Sequence, residues 1–319
     1  MPSNLILEVN NLSKNFHIKN SNIFSKDKVI KALDDISFNI KKGEIFGLVG
    51  ESGCGKSTLG RSIVGLTKDV EGQIFFEGKN IKNIKRLSKK VQIIFQDPLS
   101  SLNPKKKIGW ILEEPLKIHK IGNKEQRLNM VNKILDLIGL DNSYKDKYAK
   151  ELSGGQRQRI SIGSALMLNP ELIIADEPVS ALDVSVQSQI LNLMLDLHEK
   201  LNLAYLFISH NLDVVYYMCD RVAVMYAGKI VEIASAEEIY DKPLHPYTKV
   251  LLNSVLKFDE NIDLSNEITE GNRNLSVEFS CPYYKKCTYA KEECRTKAPK
   301  IKNINGENEL EHLVRCNLF

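Results

Sequence analysis

Ile45-Phe46-Gly47-Leu48-Val49-Gly50-Glu51-Ser52-Gly53-Cys54-Gly55-Lys56-Ser57-Thr58 decides how this chain is read. The first five residues form an apolar run with the length and texture of a buried strand. Gly50 to Ser57 then fits G-x-x-x-x-G-K-[ST] at every fixed position, and a helix is expected to start at Lys56. Strand, glycine loop and helix is the order a phosphate-binding loop requires. Glycines let backbone N–H groups curl around a phosphate with no Cβ in the way. The helix N-terminus adds the favourable end of its dipole. In that geometry Lys56 reaches the β- and γ-phosphates and Ser57 ligates Mg²⁺, while Gly50, Ser52, Gly53, Gly55 and Thr58 complete the cradle. A chance match in a chain this long has a probability of roughly one in a hundred. Binding of a nucleoside triphosphate therefore outweighs a plain glycine turn.

Two further stretches add chemistry to the loop. Leu172-Ile173-Ile174-Ala175 is a second apolar strand, and it ends in Asp176-Glu177. Asp176 can hold the Mg²⁺ shell, and Glu177 stands where it can polarise an attacking water. Leu152-Ser153-Gly154-Gly155-Gln156 opens a helix that carries Arg157 and Arg159. A hydroxyl and bare amides at a helix start make a second anion seat. The plain alternative is a glycine-rich N-cap. One chain has little use for two such seats on one γ-phosphate, unless the two come from different subunits.

The remaining pattern is α/β. Leu5–Asn10, Ile36–Ile40, Gly72–Phe76, Val91–Phe95, Leu203–Ile208 and Val222–Met225 read as strands. From Asp97 to about Asn169 the texture is helical, with Val131, Leu135 and Ile138 at helical spacing. Val186, Ile190, Leu193, Leu197 and Leu201 predict one face of an amphipathic helix. Strands alternating with helices argue for a mainly parallel sheet. After about residue 236 the pattern is expected to break into an acidic, asparagine-bearing linker and then a cysteine-rich tail.

Composition narrows the class. The 319 residues are 43% hydrophobic, enough for a sizeable core. The net charge of +4 comes from lysines dispersed among asparagine and apolar residues, which reads as solvated surface, with no nucleic-acid partner expected. No run approaches the ~18 apolar residues that span a bilayer, and Met1-Pro2-Ser3-Asn4-Leu5 lacks a secretory signal's texture. A cytosolic protein is expected, with any membrane-spanning helices supplied by other subunits. Clustered cysteines in such a compartment point to metal before disulfides. Cys54 and Cys219 read as packing residues.

Taken together, these motifs resemble the ATP-binding subunit of ABC transporters, over about residues 5–240. Gly50–Ser57 resembles its Walker A motif, Leu172–Asp176 its Walker B motif, and Leu152–Gln156 its signature. Gln96, within Ile94-Phe95-Gln96-Asp97-Pro98, matches the Q-loop, which touches Mg²⁺ and senses the membrane subunit. Ser180-Ala181-Leu182-Asp183 matches the D-loop, and His210 the switch histidine on the γ-phosphate. The resemblance implies a P-loop NTPase (RecA-like) core with an antiparallel β subdomain and a helical subdomain, about 97–169, that carries the signature. Residues 1–240 would form the ATP-binding domain and 241–319 a small Cys-rich extension. It implies an ATPase with Glu177 as catalytic carboxylate and each ATP clamped between two subunits, with Ser153, Gly154, Gly155, Gln156 and Asp183 reaching the partner's nucleotide. An aromatic ring is expected to stack on adenine near the first strand; Phe16 is the candidate, where tyrosine is usual.

The tail is similar to one branch of that family. Pro243-Leu244-His245-Pro246-Tyr247-Thr248 resembles the segment after the core in oligopeptide and dipeptide importer ATPases, and Glu177–Ser185 resembles their F-type subunit. His245 reads as a helix-start packing residue. The branch implies a second ATPase subunit of D-type, two transmembrane permeases, an extracellular binding protein indirectly, and a peripheral position on the cytoplasmic face of the membrane. Cys281, Cys287, Cys294 and Cys316 fall as C-x5-C-x6-C-x21-C, a spacing this branch associates with a [4Fe–4S] cluster. Four thiolates also suit zinc. The alternatives are a soluble ABC ATPase acting on ribosomes or DNA, and an importer of nickel complexes or other small solutes. One cassette without sustained heptads argues against the soluble class.

Overall fold

A computed structural model of the chain describes residues 4–18, 28–256, 280–306 and 311–319. The chain runs β1 Leu5–Ile18, β2 Lys28–Lys41, β3 Ile45–Val49, α1 Lys56–Ile63, β4 Glu71–Phe76, β5 Lys79–Asn80 and β6 Val91–Ile94. The helical stretch follows as α2 Pro98–Ser101, α3 Ile108–Ile118, α4 Lys124–Leu137 and α5 Gly154–Leu166. Next come β7 Leu172–Asp176, α6 Val184–Leu201, β8 Ala204–Ser209, α7 Leu212–Met218, β9 Arg221–Tyr226 and β10 Lys229–Ser235. α8 Ala236–Asp241, α9 Pro246–Leu256, α10 Glu292–Thr296, β11 Ile301–Asn303 and β12 Leu313–Arg315 complete it.

The chain divides into two compact units. The first is Met1–Leu12, Ser37–Phe46 and Ser57–Ser209; the second is Ser13–Ile36, Gly47–Lys56 and His210–Phe319. In the first, β6, β7 and β8 pair in parallel, with Val91 opposite Leu172 and Leu172 opposite Ala204. Every residue of β7 and β8 is buried, as continuous apolar runs in a parallel sheet should be. Val131, Leu135 and Ile138 are buried as their spacing predicted. A Cβ on Gly163 would come within 2.9 Å of Ile134 and Ile138, so α5 and the end of α4 approach closely only because Gly163 carries no side chain.

In the second unit, β9, β10, β12 and β11 form consecutive antiparallel pairs. Strand pairing is thus parallel among β6, β7 and β8 of the first unit and antiparallel among β9, β10, β12 and β11 of the second. Three expectations need correction. β1 and β2 run to 14 residues each, well past Asn10 and upstream of Ile36; polar residues in these strands hid their true ends from an apolar count. The buried residues of α6 are Ile190, Leu191, Met194 and Leu197, while Leu201 is exposed; the apolar stripe is broader than one row of leucines, and packing chose its centre. Residues 236–256 form α8 and α9 before the linker, and the linker itself falls on 257–279, outside the described residues.

A fully buried carboxylate organises the second unit. Glu232, on β10, accepts from the Leu244 N–H at 2.7 Å, the His245 N–H at 2.9 Å and His312 Nε2 at 2.7 Å. A buried charge is tolerated only with such donors. It ties β10 to the turn before α9 and to His312, beside β12. His245 is buried as expected and works at the helix start, where its Nδ1 accepts from the Tyr247 N–H at 3.1 Å. Burial pushes the His245 imidazole down to about 4, opposed by the charge of Glu232. Its folded-state value lies below the unfolded value of about 6.5, so neutral His245 stabilises the fold above pH 6.5 and that contribution fades as pH falls toward 4. At pH 4 the loss is expected to be about 3 kcal/mol. Urea unfolding of the wild type and of His245→Gln between pH 7 and pH 4 checks this: the variant, which keeps an acceptor that cannot titrate, should lose less stability by that amount.

Candidate nucleotide-binding site

The glycine loop belongs to the second unit up to Lys56. β3 delivers it, with Gly50 at φ 153°, Gly53 at 78° and Gly55 at 116°. Such φ values are open to glycine and costly for residues with a Cβ. Space is as limiting as torsion: a Cβ on Gly50 would lie 2.1 Å from the Met225 carbonyl oxygen, and one on Gly55 2.3 Å from that of Ala32. The Gly228 N–H donates to the Cys54 carbonyl at 2.9 Å, which pins the loop to the β9–β10 turn. Cys54 is buried, and that burial pushes its thiol up; it packs, as its sequence reading held. Lys56 is 4% exposed and its ammonium donates to the Gly50 carbonyl at 2.6 Å and the Glu51 carbonyl at 3.1 Å. A buried cation needs such acceptors, and the two loop carbonyls hold it in place. Phe16 is 42% exposed on β1, with Lys14 Nζ 5.2 Å from its ring centroid. Lys14 thus sits over the ring, which stays partly exposed to solvent. His210 is exposed one residue beyond β8.

The other half of the chemistry lies in the first unit. Ser57 Oγ donates to Asp176 Oδ1 at 2.9 Å, and Asp176 is only 2% exposed. A hydroxyl and a carboxylate together form the hard oxygen donor set that Mg²⁺ prefers. Beside them, Gln96 Nε2 donates to Glu177 Oε2 at 3.0 Å. Glu177 is held at φ 49° by its N–H bond to the Ile208 carbonyl, 3.0 Å, and by Ser180 Oγ on its own carbonyl, 3.1 Å. Left-handed backbone at a non-glycine residue costs about 1 kcal/mol. The structure thus brings Ser57, Asp176, Glu177 and Gln96 together, residues separated by up to 120 positions in sequence.

Ser153 is the N-cap of α5. Its Oγ accepts from the Gln156 N–H at 3.3 Å, and Gln156 Oε1 accepts from the Ser153 N–H at 3.0 Å. Within one chain these groups therefore perform the capping role that was the plain alternative. The two glycines do more. Cβ atoms on Gly154 and Gly155 would come within 3.2 Å of Leu182 and 2.5 Å of Val186. The helix start is thereby seated on the segment around Asp183, which is exposed at the head of α6. Sequence patterning found both segments and missed this contact, for which only the paired glycines are a signal.

The structure lends no support to the metal site expected in the tail. Among the described residues no group of three or more His, Cys, Asp or Glu side chains is arranged to hold a metal ion. The thiols of Cys281, Cys287, Cys294 and Cys316 do lie close enough to repel one another as thiolates. Burial, first, and that repulsion push Cys281 up to about 11 and raise Cys287 and Cys316.

A buried lysine on a glycine loop, an Mg²⁺-type oxygen pair and an acidic strand end define a P-loop nucleotide-hydrolysing cassette. Residues 33–180 match the model of the ABC transporter family, and residues 231–294 that of the oligopeptide/dipeptide transporter C-terminal region. The chain is 45% identical to the oligopeptide transport ATP-binding protein AppF of Bacillus subtilis, over 98% of this chain and 97% of that protein. It is 41% identical to the dipeptide transport ATP-binding protein DppF of Escherichia coli, over 98% of this chain and 93% of that protein. A solved dimer of the ATP-binding cassette MJ0796, in a post-hydrolysis state bound to ADP and Pi, superposes with a TM-score of 0.63 at 27% identity, over 72% of this chain and 98% of that one. The chain belongs to the ABC transporter family, as an ATP-binding protein of its oligopeptide/dipeptide branch. It is an ATPase of the ABC fold, and its family works with permease subunits and an ATPase partner. No helix among the described residues is long and apolar enough to cross a membrane.

The seat of Gly155 on Val186 can be tested. Gly155→Ala is expected to cost about 1–3 kcal/mol, the usual price of overpacking. Val186→Ala should return most of that loss in the double variant, which thermal melts of the three proteins would show as a positive coupling.

Proposed function

We propose that this chain is the ATP-hydrolysing subunit that powers import of oligopeptides or dipeptides through two permease subunits. The reading is supported by relatives named for oligopeptide and dipeptide transport that share nearly the whole chain. The observation that carries the chemistry is the meeting of Ser57, Asp176, Gln96 and Glu177. Gly50, Ser52, Gly53, Gly55, Lys56 and Thr58 bind the phosphates, and Phe16 receives the adenine. Ser57 and Asp176, with Gln96, hold Mg²⁺, whose charge would stabilise the transferring phosphoryl group. Glu177 takes the position of the general base, and the Gln96 amide bonded to it fixes where its oxygens point. His210 steadies the γ-phosphate. Positioning and charge stabilisation provide most of the rate.

Each nucleotide is read here as shared between two subunits. Ser153, Gly154, Gly155, Gln156 and Asp183 serve the partner's site, and the packing of Gly155 on Val186 makes signature and D-loop advance as one piece. The partner is taken to be a D-type subunit in a heterodimer, and the protein a peripheral one on the cytoplasmic face of the membrane. Residues 1–240 form the nucleotide-binding part, with 97–169 as its helical subdomain, and 241–319 the extension. The [4Fe–4S] reading of Cys281, Cys287, Cys294 and Cys316, with zinc as the alternative, draws support only from the closeness of the four thiols. Brown colour with broad visible absorbance after anaerobic purification favours iron–sulfur; colourless protein with stoichiometric zinc favours the alternative.

Glu177→Gln is the decisive variant. With its partner and permeases, it should lose about 10²–10⁴-fold in ATP turnover while still binding ATP, so the closed dimer accumulates. Turnover near the wild-type rate would remove Glu177 from the role of base.

A further inference from the structure

The segment His245-Pro246-Tyr247-Thr248 takes no part in the chemistry above, yet it ends on the nucleotide loop. Tyr247 is 2% exposed, and its hydroxyl accepts from the Glu51 N–H at 2.9 Å. That N–H belongs to the same peptide group as the Gly50 carbonyl, which accepts from Lys56 Nζ at 2.6 Å. In a trans peptide the N–H and C=O point in opposite directions within one rigid plane. Fixing the N–H on Tyr247 therefore fixes the direction of the carbonyl that seats the Lys56 ammonium. A peptide free to rotate would move that carbonyl, and with it the cation that meets the phosphates.

The tyrosine is itself rigidly held. Its ring lies 4.7 Å from that of Tyr226 and 5.6 Å from that of Tyr283, centroid to centroid, and Tyr226 and Tyr283 meet edge-on at 5.1 Å. Its backbone N–H is fixed on His245 Nδ1, and the His245 N–H on the buried Glu232 carboxylate. The hydroxyl is thus aimed by two neighbouring tyrosine rings and, through His245, by a buried carboxylate. Burial that holds a phenol so firmly also keeps it neutral, able to accept a hydrogen bond at all working pH values.

We propose that Tyr247 is a positioning residue of the nucleotide site: its hydroxyl holds the Gly50–Glu51 peptide in the orientation that seats Lys56, so that the C-terminal extension sets the shape of the phosphate-binding loop. The proposal rests on the nucleotide-site reading given above and adds a residue that does not touch the substrate.

Tyr247→Phe in the full-length chain removes one oxygen and keeps the ring in its aromatic nest. ATP affinity of the purified chain is expected to weaken roughly three- to tenfold, the worth of one partly buried hydrogen bond. In the assembled transporter the KM for ATP should rise by the same factor, with kcat changing less than about twofold. Hydrogen exchange reads the bond directly: the Glu51 amide of the nucleotide-free wild type should exchange slowly, and faster in Tyr247→Phe. Thr248→Val is the control, since Thr248 is fully buried next door and its hydroxyl has no hydrogen-bond partner among the described residues; it should keep wild-type ATP affinity. Unchanged affinity and exchange in Tyr247→Phe, an equal loss in Thr248→Val, or fast Glu51 exchange in the wild type would each overturn the proposal. The exchange measurement on the wild type stands even if the variant fails to fold. A wild type that binds no ATP would overturn the nucleotide-site reading and this inference with it, whereas the other outcomes touch this inference alone.

Discussion

Backbone amides can surround a phosphate only where no side chain stands between them and it, and this constraint governs the molecule. Gly50 and Gly55 meet it at the limit, since a single added carbon would fall 2.1 Å from the Met225 carbonyl oxygen or 2.3 Å from that of Ala32. A loop made of such residues has little rigidity of its own, because glycine brings the largest conformational entropy to be lost on folding. Its shape must be imposed by its surroundings. The Gly228 N–H on Cys54 and the Tyr247 hydroxyl on Glu51 are two of the groups that impose it.

The acidic end follows a different rule. Asp176 is buried and acts as an acceptor for Ser57, which keeps a charge in the interior without leaving it unpaired. Glu177, one residue on, is released from the strand by a left-handed turn at φ 49°. That turn lets neighbouring carboxylates face different tasks, one fixed beside the loop hydroxyl and the other reaching the Gln96 amide. Strain stored at such a residue persists only where hydrogen bonds on both sides enforce it, as the bonds to Ile208 and from Ser180 do here.

The turn before α9 and His312 are both anchored on Glu232. One carboxylate collects two backbone N–H groups and a histidine ring. Removing any one donor would leave a buried charge short of partners, a far larger loss than a surface ion pair would suffer. The arrangement explains why His245, which sequence reading assigned to packing, does so with its ring neutral: its Nδ1 lone pair is already committed to Tyr247.

Sequence by itself determined the loop, the acidic strand end, the signature helix and the α/β order, because each is a local pattern whose chemistry needs fixed spacing between neighbouring residues. It also found the helical face of Val131, Leu135 and Ile138, where periodicity and burial coincide. It could not supply the ends of β1 and β2, the true buried face of α6, the two helices after residue 236, or the placing of the tail thiols, since these were settled by contacts with distant segments. Glu51 and Tyr247 are 196 positions apart, and no periodicity relates them. Only the tertiary structure made them partners, because a hydrogen bond depends on where two atoms lie in space, and the chain between them had first to fold.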